Sequence, residues 1–201
     1  MMVILALVAL LGGVAYGLGG LDWPVVEWLA QNTDYILYAL MLLVGISVGM
    51  HEGIVDNMRQ YHLKILLIPC GIIAGSLVGG VLCSLLLRTP MGESTAIASG
   101  LGWYSLTGVA IGNLSGAQYG SIAFLSNLMR EIFSFFSIPF LARHLNVYSC
   151  IAAAGATSED TTLPMMIRYT DGDTVVLSVL NGVICSACVP VLLSICYHLF
   201  S

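Results

Sequence analysis

Long unbroken apolar runs, rather than alternation of apolar and polar positions, dominate this chain. Five of them, about 2–20, 35–50, 65–87, 119–141 and 174–199, approach or reach the roughly 17 to 25 helical residues that cross a hydrocarbon core of about 30 Å. The run 35–50 is the shortest. Two further apolar stretches, about 95–112 and 148–164, are interrupted by Gly, Ser, Thr and acids. The interruptions read Ala98-Ser-Gly-Leu-Gly-Trp-Tyr-Ser-Leu-Thr-Gly108 and Ala154-Gly-Ala-Thr-Ser-Glu-Asp-Thr-Thr-Leu-Pro164. Irregular backbone at membrane depth must face protein or water, so both are expected to be broken or re-entrant segments. The predicted fold is all-α: a polytopic transmembrane helical bundle with two broken or re-entrant segments, forming a single transporter domain over residues 1–201.

Order along the chain suggests an internal repeat. The run 65–87 with segment 95–112 is followed by the run 119–141 with segment 148–164, and Ile97-Ala-Ser-Gly100 and Ile151-Ala-Ala-Ala-Gly155 stand at comparable places. Such units would enter the membrane from opposite faces as inverted repeats, and paired interrupted segments in two halves point to a transport site near the midplane. Basic residues orient the bundle, because short cytoplasmic loops carry the excess of Lys and Arg. If both broken segments enter and leave on one side, Arg59, Lys64, Arg143 and Arg168 share a face and Arg88 lies opposite. That arrangement puts the N-terminus inside and the C-terminus outside. Trp23 and Trp28, among Asp22, Glu27 and Asp34, then mark an outer aromatic belt.

Composition agrees with burial in lipid. Of 201 residues, 58% are hydrophobic and 8% charged, against roughly 25% charged for a soluble domain. The net charge of −5 comes from scattered acids, which excludes a nucleic-acid-binding role. Met1 to Gly20 lacks a basic leader and is expected to be a retained membrane helix, not a signal peptide. Cys70, Cys83, Cys150, Cys185, Cys188 and Cys196 lie in apolar stretches as small hydrophobes. Cys185-x-x-Cys188 has no second pair, and His51, His62, His144 and His198 lack metal-ligand spacing. No metal, cofactor or enzymatic motif is therefore expected. Gly71, Gly75 and Gly79, four residues apart, are expected to permit close helix packing.

Four charged side chains fall at membrane depth: Arg130, Glu131, Glu159 and Asp160. Each costs at least about 2.5 to 3.5 kcal/mol at a helix centre, so each is a pathway or relay candidate. Helical spacing places Asn127, Glu131 and Ser134 on one stripe of the run 119–141, with Arg130 about 100° round beside Ser126 and Ser137. A polar cavity would satisfy the Glu131 stripe, whereas Arg130 could instead form a structural ion pair with one acid. Thr157-Ser-Glu-Asp-Thr-Thr162 strings six polar side chains together. They suit a hairpin tip dipping into the membrane, with a solvated loop as the alternative. The candidates for binding cargo or protons are thus Glu131, Asp160, Asn127, Glu159, Ser158 and Thr161.

At Ala98 to Gly108, at Asn127-Leu-Met-Arg-Glu131 and at Gly155 to Pro164 the chain resembles the lysine exporter family called LysO, over roughly residues 35 to 199. The resemblance implies export of L-lysine and its analogue thialysine across the bacterial inner membrane in exchange for protons. It also implies a functional pair of intramembrane acids, falling here on Glu131 and Asp160. Glu159 stands where the family often has an uncharged residue. Full-length members are longer at the N-terminus, and some bacteria encode that part separately, so a second membrane subunit is an implied partner. Physically, a cation and a proton compete for one shielded carboxylate, and such mutual exclusion is antiport. Two other functions fit the pattern: a sodium- or proton-coupled transporter of an organic anion, and a non-transporting scaffold in which the acids are dispensable.

Overall fold

The computed structural model describes residues 2–20, 23–32 and 63–199, together with isolated positions between 35 and 46. Every regular element among them is helical. The chain forms two compact units, Met1–Val44 and Gly45–Ser201.

The first unit holds α1 (Met2–Leu18) and α2 (Pro24–Gln31). Helix α1 carries no charged side chain and matches the run predicted at 2–20. Helix α2 was not anticipated; it starts at Pro24, whose missing N–H is no loss in a first turn. Tyr16 accepts a hydrogen bond from the Trp23 N–H at 2.7 Å and meets the Trp23 ring edge-to-face. The run predicted at 35–50 and residue Arg59 lie almost entirely outside the described residues.

In the second unit three long helices carry the architecture: α3 (Leu63–Leu87), α6 (Ala117–His144) and α9 (Gly172–Leu199). Leu66–Leu87 and Gly172–Leu199 are long and apolar enough to cross a membrane. Helix α6, with 28 residues, is equally long but carries Arg130 and Glu131 at its middle. Its outer face shows Ile122, Leu125, Met129, Phe133, Phe136 and Phe140, all exposed. A stripe of that size would be a liability in water and is a fitting surface for lipid. The opposite stripe, Asn127, Glu131 and Ser134, is buried as the helical spacing predicts.

Both interrupted stretches are broken helices. The first comprises α4 (Met91–Ala98) and α5 (Tyr104–Ser115); the second comprises α7 (Val147–Ala154), a 3-10 turn at Gly155–Glu159 and α8 (Leu163–Tyr169). Leu87 and Tyr119 line one groove and Leu67 and Asn146 another, so α3 and α6 run antiparallel. The first segment begins beside the end of α3, where Ser84 donates to the Thr89 carbonyl. It returns along α6, with Gly112 against Gly120. The second packs Cys150, Ile151 and Met166 around Ile138, near the other end of α6. Each segment thus enters and leaves at one end, and the two dip in from opposite ends of α6.

The glycine expectation changes in detail. A methyl group at Gly71, Gly75 or Gly79 would meet nothing within 4 Å, whereas one at Gly80 would lie 2.9 Å from Ala98 Cβ and from Thr95 Cα. Close packing therefore occurs at Gly80, against α4, and the repeated glycines line open grooves instead.

Candidate functional site

The two broken segments cross where they unwind. Leu101, Gly102 and Gly155 all adopt positive φ, at 52°, 102° and 65°. There the Ala156 N–H donates to the Leu101 carbonyl at 3.0 Å. Gly155 is required by this approach as well as by its φ: a Cβ would stand 2.5 Å from the Leu101 oxygen and 3.0 Å from Arg130 Nη2. Unwound backbone leaves carbonyls and N–H groups without helical partners, and in an apolar setting each must be served by a side chain.

Two asparagines do this. Asn127 of α6 accepts from the Gly102 N–H at 2.9 Å and donates to the carbonyls of Ile97 and Ala123, both at 3.0 Å. Asn181 of α9 donates to the Gly155 carbonyl and to Ser158 Oγ, both at 3.0 Å. Each asparagine thus sits on the long helix that follows its broken segment, 25 residues beyond Gly102 in one case and 26 beyond Gly155 in the other. Ser158 is buried and exchanges hydrogen bonds with Ser178 in both directions at 2.8 Å. Thr162 donates to the Thr157 carbonyl at 2.8 Å. Asn127 and Ser158, candidates for binding cargo, are engaged in holding the break.

Glu131 is different. It is 1% exposed, yet neither carboxylate oxygen reaches a hydrogen-bond partner, and the buried Thr161 hydroxyl likewise reaches none. Thr161 nevertheless lies toward Glu131, and Asp160 and the Tyr104 hydroxyl are within electrostatic reach of the same carboxylate. The structure therefore gathers Glu131, Thr161 and Asp160, from α6 and the second break, with Tyr104 at the start of α5. Exposure rises across the group, from Glu131 through half-buried Thr161 to exposed Asp160, whose carboxylate accepts from the Thr161 N–H.

Neighbouring Glu159 points elsewhere. It accepts from Ser186 Oγ at 2.9 Å, and its side chain packs on Gly182 of α9, where a Cβ would come within 2.6 Å of Glu159 Cβ. Adjacent Glu159 and Asp160 thus serve different neighbours. Arg130 turns away from the Glu131 stripe, as the helical spacing implies, and donates to Ser76 Oγ of α3 at 3.0 Å. Among the described residues no group of three His, Cys, Asp or Glu is placed to hold a metal. Asn181, Ser76 and Tyr104 were not singled out for the site from sequence. Asn181 is an isolated amide within an apolar run, and only its offset from Gly155 hints at its role.

The pattern that defines the Lysine exporter LysO family matches residues 7–197. The chain belongs to the LysO family. It is 32% identical over 182 residues to the lysine exporter LysO of Escherichia coli, an alignment spanning 90% of this chain and 60% of that protein. A candidate lysine exporter of Haemophilus influenzae is 33% identical over 176 residues, spanning 86% of this chain and 89% of that protein. The chain therefore spans about 60% of the E. coli exporter's length. No solved structure matches it. LysO membership makes this a membrane protein of a transporter family and not an enzyme.

Proposed function

We propose that the chain exports L-lysine and thialysine across the bacterial inner membrane, as a multi-pass protein, in exchange for protons held by Glu131 and Asp160. Family membership supports lysine as cargo. The observation that carries the acidic pair is the buried Glu131 carboxylate, both oxygens without a partner, facing Thr161 and Asp160 where two broken helices cross. A carboxylate in that setting is costly unless it binds something, and a proton or an ammonium group serves equally well. Occupancy by one excludes the other, which is the elementary step of antiport. The rise in exposure toward Asp160 supports it as the outer member of the pair, handing protons or cation to Glu131.

The same reading takes the two broken segments as inverted repeats. Their entry from opposite ends of α6 and the Asn127 and Asn181 pins at offsets of 25 and 26 residues favour it. Alternating access then consists of one hairpin moving against the other about the Leu101–Ala156 contact. A separately encoded N-terminal membrane subunit, as the family resemblance implies, is proposed as partner. Co-expression of the two in an export-deficient strain tests the function. Thialysine resistance and release of labelled lysine are expected from the pair, and little of either from this chain alone. Neither phenotype, with both proteins present in the membrane, would refute lysine export.

A further inference from the structure

Two grooves run along α3 in line. One, about 570 Å³, is lined by Leu67, Gly71, Gly75 and Tyr148; the other, about 340 Å³, by Gly79, Leu87, Thr89 and Tyr119. Ser76 and Arg130 line both. Ser76 lies midway along Leu66–Leu87, about 15 Å from either end, and Arg130 midway along Ala117–His144, about 20 Å from either end, at about 1.5 Å per residue. The Ser76–Arg130 hydrogen bond thus lies where the two grooves meet.

We infer that Arg130 binds the carboxylate of the exported amino acid, and that its bond to Ser76 is the closed state of a constriction between two vestibules. This inference rests on the reading of the chain as an amino-acid exporter. A guanidinium is charged at every accessible pH and carries five donors in a planar fork that matches a carboxylate in two parallel bonds. A neutral hydroxyl offers one such contact. Arriving cargo therefore displaces Ser76 by offering the better partner. The open side of α3 fits passage, because Gly71, Gly75 and Gly79 leave no side chain in the way. Both volumes fall in the range of small-molecule sites, about 300 to 1,000 Å³.

Arg130 also touches the crossing. Its Nη2 lies 3.0 Å from where a Cβ on Gly155 would be, and its Cδ 3.9 Å from the same position at Gly102. Movement of the guanidinium is thereby tied to the contact between the broken helices. Glu131, one residue on, points about 100° away round α6. The carboxylate subsite and the proton-binding pair are thus separate sites joined through one helix.

Counterflow of labelled lysine in proteoliposomes, with the full chain together with its proposed partner subunit and no proton gradient, tests this by competition with unlabelled lysine and with its decarboxylated analogue, 1,5-diaminopentane. The diamine keeps both ammonium groups and lacks only the carboxylate. It is expected to compete at least about tenfold more weakly, the change implied by losing one hydrogen bond to a charged group. Arg130→Lys should weaken lysine by a similar factor while leaving the diamine unchanged. Equal competition by the two compounds in the unmodified protein overturns the inference without any variant, as does an Arg130→Lys protein that shifts both equally. Absence of lysine counterflow in the unmodified protein refutes the exporter reading itself, and the inference with it.

Discussion

Replacing Asn127 by alanine removes the amide that holds the first break, and the cost follows from what it leaves behind. The Ala123 carbonyl keeps its place in the α6 ladder and loses little. The Ile97 carbonyl keeps the Gly100 N–H, whereas the Gly102 N–H loses the side chain that serves it, and a buried group without a partner costs about 1 to 3 kcal/mol. Polar contacts in a bilayer tend toward the low end, because the unfolded chain finds partners there too. A loss of about 1 kcal/mol is still an appreciable part of a total stability of about 5 to 15 kcal/mol. Glu131→Gln is the matched control, since the Glu131 oxygens have no hydrogen bonds to lose. Thermal unfolding in detergent should fall by several degrees for Asn127→Ala and stay within about one degree for Glu131→Gln. Trp103, at the break itself, makes tryptophan fluorescence a direct readout. The reverse order of the two midpoints would refute the division between scaffold and site.

Other outcomes follow from the same geometry. Gly155→Ala forces a side chain into positive φ, about 1 to 2 kcal/mol, and onto the Leu101 oxygen at 2.5 Å; purified protein should melt earlier and transport should be lost, and unchanged transport would show that the crossing is dispensable. In a background without native thiols, cysteines placed at 143 and 168 should both be labelled from the cytoplasm, since each broken segment returns to its own side; labelling from opposite sides would mean that the second segment crosses. Asp171 caps α9 through the Thr174 N–H at 2.8 Å, and that bond holds its carboxyl below the usual carboxylate range. Its contribution is present above the ordinary carboxylate range and is lost as pH falls through the lowered value. Asp171→Ala should therefore flatten the acid end of a stability–pH curve and leave its slope near neutrality unchanged.

The long runs were legible because apolar length is a direct signal. Predicted 65–87, 119–141 and 174–199 became Leu63–Leu87, Ala117–His144 and Gly172–Leu199. The breaks were legible because Gly102 and Gly155 interrupt otherwise apolar stretches, and each proves to need positive φ. The buried stripe of Asn127, Glu131 and Ser134 followed from helical spacing alone. Roles within the stripe did not. Spacing says which residues share a face, not that Asn127 faces unwound backbone while Glu131 four residues on faces Thr161. Contacts distant in sequence were equally hidden: Asn181 with Gly155, Ser76 with Arg130, and Gly80 with α4. Small and polar residues carry little pattern individually, and only the packed helices show what each one touches.

Proton release from inverted membrane vesicles on addition of lysine tests the central claim most directly. The unmodified protein, with its partner subunit, should move protons when lysine is supplied. Glu131→Gln and Asp160→Asn, which remove charge and keep volume, should abolish the signal at near-normal protein levels. Glu159→Gln should retain much of it, because that side chain is directed at Ser186 and Gly182. Lysine-dependent proton movement that survives either Glu131→Gln or Asp160→Asn would contradict the acidic pair as the coupling site.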